Sequence, residues 1–106
     1  MIDTKDVERA LKYLADTDEA HAKAKALVKA LEHGFKTIKA EEYLNAQGTN
    51  GEREQKAYAS TAYKELTNRY AQAVVEFELM ENKRERAVLT VDVWRSLNAN
   101  QRKGNI

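Results

Sequence analysis

The sequence predicts an all-α protein: an elongated antiparallel helical hairpin with a short amino-terminal helix, coiled-coil-like and oligomeric. Three observations predict it. The 106 residues include no proline and only four glycines, and residues 52–103 hold neither. Within that stretch apolar side chains recur every seventh position: Leu66, Ala73, Met80, Ala87 and Trp94, interleaved with Tyr70, Phe77 and Val91. Two series spaced four and three apart give a helix one continuous seam for a partner helix. Finally, at about 1.5 Å per residue such a helix would extend on the order of 70 Å, too far for a compact domain of this size.

Taken in order, a first helix is expected over residues 4–15, with Asp3 or Thr4 capping its free N–H groups and Val7, Ala10, Leu11 and Leu14 forming one apolar stripe. Asp16 followed three residues later by Glu19 has capping-box spacing, so a second helix is expected over 18–46. Its seam reads Ala20, Ala24, Leu27, Leu31, Gly34 and Ile38; Gly34 costs about 1 kcal/mol of helix propensity and marks a close approach or a bend. The loop Gly48-Thr49-Asn50-Gly51 follows, and Thr49 with Glu52 makes a capping box for a third helix over 52–102. Folding helix two onto helix three sets Ala46 opposite Glu52 and Thr17 opposite Glu81. The overhang of helix three then takes either helix one, with Leu11 near Ala87 and Val7 near Val91, or another protomer. The seam expected to hold copies together comprises Leu27, Leu31 and Ile38 with Leu66, Tyr70, Phe77, Met80, Val91 and Trp94. Residues 81–86 carry no apolar side chain, and Arg84 falls in the seam, which reads as a polar layer fixing register with Arg84 paired to a carboxylate of another helix, or else as a hinge or a ligand-facing cation. The tail 104–106 reads as disordered.

Composition narrows the function classes. Without cysteine there are no disulfides, no thiolate chemistry and no Cys-type zinc site, which fits a reducing compartment. No apolar run is long enough for a membrane span or a signal peptide, so the expectation is a soluble cytoplasmic protein without membrane contact. The net charge of +1 hides an uneven spread: residues 1–20 carry three basic and six acidic side chains, 21–40 five and one, 81–106 six and three. Such zones permit nucleic-acid contact and head-to-tail pairing of protomers alike.

Catalytic signals are absent. His21 and His33, twelve apart, do not share a ligand-binding helix face, and no phosphate loop, nucleophile elbow or HExxH pattern occurs. No enzyme, metal or cofactor is expected. The lysines of helix two are better placed. At about 100° per residue Lys25, Lys29 and Lys36 share one exposed flank, with Lys39 further round, a ridge able to follow a phosphate backbone. At the other end Arg95, Arg102 and Lys103 form a second cluster beside Trp94, and arginine and tryptophan both stack on bases. Packing is the default for Trp94, Tyr63 and Tyr70; Tyr58 lies off the seam and is freer to stack.

The stretch from Ile38 to Lys103 resembles small accessory proteins that tailed bacteriophages encode near their recombination genes. The residues that carry the likeness are Lys39-Ala40-Glu41-Glu42-Tyr43-Leu44, Gly48-Thr49, Glu52-Arg53-Glu54, the Tyr-Ala-rich run Ala57 to Tyr63, and Val93-Trp94-Arg95-Ser96 with Asn100 and Arg102. Their layout is similar to that of UvsY-type recombination mediators. The resemblance implies a non-enzymatic, self-assembling protein in the host cytoplasm that binds single-stranded DNA without sequence preference and assists a recombinase. Two other readings use the same seams: an oligomeric helical adaptor or regulator that binds a protein partner and no DNA, and a virion assembly component.

Overall fold

The computed structural model describes residues 1–104 and is all-α: α1 (Thr4–Asn45), α2 (Asn50–Tyr58) and α3 (Thr61–Gly104). Two compact units divide it. One joins residues 1–22 with the described residues from 78 onward, and the other is Lys23–Phe77. In each, a stretch of α1 packs antiparallel to a stretch of α3.

The break expected near residues 16–18 does not occur, and α1 runs unbroken from Thr4. The reason lies in its seam. Val7, Ala10, Leu14, Thr17, His21, Ala24, Val28, Leu31, Phe35 and Ile38 alternate steps of three and four, and each is buried or half-buried. Polar Thr17 and His21 carry the repeat across the expected boundary. Thr17 also acts as a helix-interior residue: its hydroxyl donates to the Tyr13 carbonyl at 2.7 Å. The true cap stands at Asp3, whose carboxylate accepts from the Asp6 N–H while Asp6 accepts from the Asp3 N–H, both at 2.9 Å. That return bond is the main reason the Asp6 carboxyl sits below its ordinary pKa; the Arg9 guanidinium adds to the effect.

The expected third helix is likewise corrected, since it is two helices. Thr49, extended at φ −70° and ψ 167°, accepts from the Glu52 N–H and caps α2, as the spacing predicts. At Ala59 and Ser60 the helix stops. Ser60 Oγ donates to the Ala57 carbonyl at 2.7 Å and accepts from the Tyr63 N–H at 3.2 Å, so one hydroxyl closes α2 and caps α3. At the other end Gly104 lies inside α3 rather than in a disordered tail, and Asn105 and Ile106 lie outside the described residues.

Along α3 the expected seam holds at every position from Leu66 to Trp94, all buried or half-buried. In the unit of the chain ends, Val7 and Ala10 pack with Ala87 and Val91, joined by Ile2, Tyr13, Leu14 and Trp94. The overhang of α3 is thus covered by this chain's own amino-terminal residues. Ala10, not Leu11, shares that cluster with Ala87; Leu11 stays 51% exposed. In the Lys23–Phe77 unit, Leu31, Leu66 and Ala73 form the core with Val28, Phe35, Ile38 and Tyr70 against it. Val28 takes the inward place expected of Leu27, which is 46% exposed.

Candidate functional site

Lys25, Lys29 and Lys36 are exposed on α1 in the Lys23–Phe77 unit. Glu32 is exposed too, on the same flank at about 100° per residue and between Lys29 and Lys36 along the axis, so the ridge carries a carboxylate of its own. The unit as a whole has nine basic and seven acidic side chains. Lys39 is drawn out of the ridge. Its Nζ donates to Tyr58 Oη at 2.6 Å and to Glu54 at 3.2 Å, and stands 4.5 Å from the Tyr58 ring centroid. These bonds, the one to Tyr58 foremost, favour the charged ammonium and raise its pKa above the ordinary lysine value. The Lys39 charge therefore serves the contact between α1 and α2, and Tyr58 is its partner rather than a free stacking platform.

An aromatic chain backs that contact. Tyr58, Tyr63, Phe35 and Tyr70 meet edge to face in succession, with centroids 5.3, 5.3 and 5.5 Å apart. Beside it, Arg53 lies 4.2 Å over the Tyr43 ring and donates to the Tyr43 carbonyl, while Lys56 closes onto the Gln47 carbonyl at 2.7 Å. Between α1 and α2 an open cleft of about 560 Å³ is lined by Lys36, Lys39, Ala40, Tyr43, Leu44 and Glu54. Its polar groups are mostly spent on holding α2.

The second basic cluster lies on α3 in the other unit, where Arg95, Arg102 and Lys103 are exposed. Trp94, expected beside them, packs against the Val7–Val91 core. In the same unit the polar layer is built as a bonded network. Arg84 donates to the Leu14 carbonyl at 2.9 Å and to Thr17 Oγ1 at 2.6 Å, and reaches Asp18 at 3.5 Å; His21 Nε2 and Glu81 Oε2 are 2.9 Å apart. Among the described residues no cluster of metal-ligating side chains occurs, and no helix is long and apolar enough to cross a membrane.

One feature escapes a reading of the seam alone. In the unit of the chain ends, α3 exposes Leu79 (64%), Leu89 (60%), Val93 (37%) and Leu97 (41%). Leu79, Leu89 and Val93 stand two positions after Phe77, Ala87 and Val91, so they repeat the heptad about 200° round the helix. Leu97 continues the row one turn beyond Val93. The signal was present as a second spacing of four and three inside the same sequence, masked by Asn82 and Arg86 at the intervening places. Glu78, Glu85 and Asp92, seven apart, run along one edge of it.

No protein-family model matches the chain, and neither a curated protein nor a solved structure is similar to it.

Proposed function

We propose that this chain is a non-enzymatic helical adaptor or regulator that holds a protein partner on the outer face of α3. The observation that carries the reading is the row Leu79, Leu89, Val93 and Leu97, left in water although α3 already has a complete seam of its own. Scattered exposed leucines need no explanation; a row at helical spacing is the shape of a helix-binding face. The test compares complexes isolated with the wild-type chain and with the double variant Leu89→Asp, Val93→Asp. Both positions point away from the seam, so circular dichroism should be unchanged. The expected result is a partner retained by the wild type, lost by the variant, and bound at micromolar or tighter affinity when both are purified. Equal recovery by the two chains, or no partner that survives purification, removes the reading.

A second reading, binding of single-stranded DNA with assistance to a recombinase, is favoured by Lys25, Lys29 and Lys36, which reach solvent on one flank of α1. Three lysines supply little per protomer, so this reading requires self-assembly that arrays several ridges. Fluorescence anisotropy of a labelled oligothymidine, at low and at physiological salt, tests it. Binding with a log–log salt slope of about −2 per protomer, abolished by Lys25→Glu with Lys29→Glu, is the expected signature. Absence of binding at low salt by a folded chain leaves the adaptor reading alone.

A further inference from the structure

The adaptor reading says that α3 holds a partner; the charges around its exposed row say which kind. Glu78, Glu85 and Asp92 are all exposed and lie on one edge of the row Leu79, Leu89, Val93. Their spacing of seven keeps them in one line along the helix. The opposite edge has no matching line of charge. Lys83 stands there, but its ammonium is 4.9 Å from the Tyr13 ring of α1 and is turned toward the chain's own core. Within the row itself one cation, Arg86, is exposed between Asn82 and Leu89.

A second copy of the chain is a poor occupant. In an antiparallel pair, residues of one edge meet the same edge of the other helix, so Glu85 and Asp92 would face carboxylates. In a parallel pair the central positions repeat across the axis, and Arg86 would meet Arg86. Either arrangement sets like charges together at the margin or centre of a small apolar contact. A helix with basic residues along one edge suffers neither conflict. Its lysines or arginines would meet Glu78, Glu85 and Asp92, its leucines would cover Leu79, Leu89 and Val93, and one carboxylate would answer Arg86.

Resting on the adaptor reading, we propose that the outer face of α3 in the unit of the chain ends recognises a basic amphipathic helix. The recognised element has apolar residues spaced four and three apart and a line of lysine or arginine at heptad spacing beside them. Apolar contact supplies most of the affinity, and the carboxylate line supplies the choice of partner and the orientation.

The test uses the full chain and three synthetic helical peptides. The first has leucines at four-and-three spacing flanked by lysine, the second replaces those lysines with glutamate, and the third scrambles the first so that the spacing is lost. Titration by calorimetry should show the lysine-flanked peptide binding at least about tenfold tighter than the glutamate-flanked one, and the scrambled peptide not at all. The surface variant Glu85→Lys, Asp92→Lys, which leaves every core residue in place, should invert that preference. Leu89→Asp should abolish binding of both ordered peptides. Equal binding of the lysine and glutamate peptides, or an unchanged preference in the charge variant, overturns the assignment of a basic partner while leaving the adaptor reading intact. Light scattering that shows the chain dimeric, with Leu89→Asp restoring the monomer, overturns it in favour of a second copy. Binding of none of the peptides, together with no retained native partner, overturns both.

Discussion

Arg84 occupies a place in the α3 seam where its neighbours Met80, Ala87 and Val91 are apolar, and its side chain is only 17% exposed. A guanidinium is tolerated there because acceptors are laid out for it on α1: the Leu14 carbonyl, Thr17 Oγ1 and, at longer range, Asp18. Thr17 can accept because its own proton goes to the Tyr13 carbonyl. The pairing makes a prediction that separates bonding from packing. Arg84→Met, which removes the cation and leaves a flexible apolar chain, should change stability by no more than about 1 kcal/mol. Thr17→Val keeps the shape but leaves the guanidinium short of an acceptor, and should cost about 1–3 kcal/mol. In the Arg84→Met background the same Thr17 change should cost nearly nothing. Urea unfolding of the two single variants and the double variant measures the difference, and an equal Thr17 cost in both backgrounds would show that the bond contributes no stability.

What the backbone requires at a position sets the sign of a glycine substitution, and Gly34 and Gly48 test this in opposite directions. Gly34 lies inside α1, where an added Cβ would sit 3.5 Å from a Leu66 methyl, an ordinary contact. Gly34→Ala should therefore raise stability by about 0.5–1 kcal/mol, since the methyl fits and the helix gains propensity. Gly48 has φ +122° and the Glu52 side chain lies over it, so Gly48→Ala should lower stability and disturb the cap of α2. Thermal unfolding reads both, and a common sign for the two would contradict the argument. The elements also show what the sequence makes legible. The α3 seam can be read directly because its places hold large apolar residues such as Leu66, Tyr70 and Phe77. The α1 seam is obscured where Thr17 and His21 hold apolar places, because Asp16-Thr17-Asp18-Glu19 offers the same side chains that cap helices. Adjacent apolar residues hide phase as well: Leu27 and Val28 fit neighbouring seams, and only packing against α3 selects Val28. The stop at Ala59–Ser60 lacks glycine and proline, so a single serine gives the only hint. That stop positions α2, and α2 brings Glu54 and Tyr58 to Lys39; the loss of Lys39 from the basic ridge was therefore illegible, while the exposure of Lys25, Lys29 and Lys36 was readable from helical phase.

At the scale of the whole molecule, the two units differ in what their cores contain. The unit of the chain ends buries Val7, Ala10, Ala87 and Val91, no side chain larger than valine, with Leu14 and Trp94 half-covered beside them. The Lys23–Phe77 unit buries Leu31 and Leu66 with Ala73, and Phe35, Ile38 and Tyr70 close over them. Burial stabilises in proportion to apolar area, about 1.5–3 kcal/mol for a fully covered leucine or valine side chain and much less for alanine. The first unit also keeps the polar layer of Arg84, His21 and Glu81 in its seam and leaves the row Leu79, Leu89, Val93 and Leu97 in water. It is the unit expected to open more readily and to gain most from a partner. Native-state hydrogen exchange distinguishes the two. Amides of residues 7–14 and 84–94 should exchange faster than those of 28–38 and 66–73, with opening free energies below that of global unfolding in the first pair of stretches only. A lysine-flanked helical peptide should slow exchange in 84–94 and leave 66–73 unchanged, because the row it covers, Leu79, Leu89 and Val93, lies outside 66–73. Uniform exchange across all four stretches would mean that the chain unfolds as one cooperative body, and the small core around Ala87 would then be stabilised by something other than its own buried area.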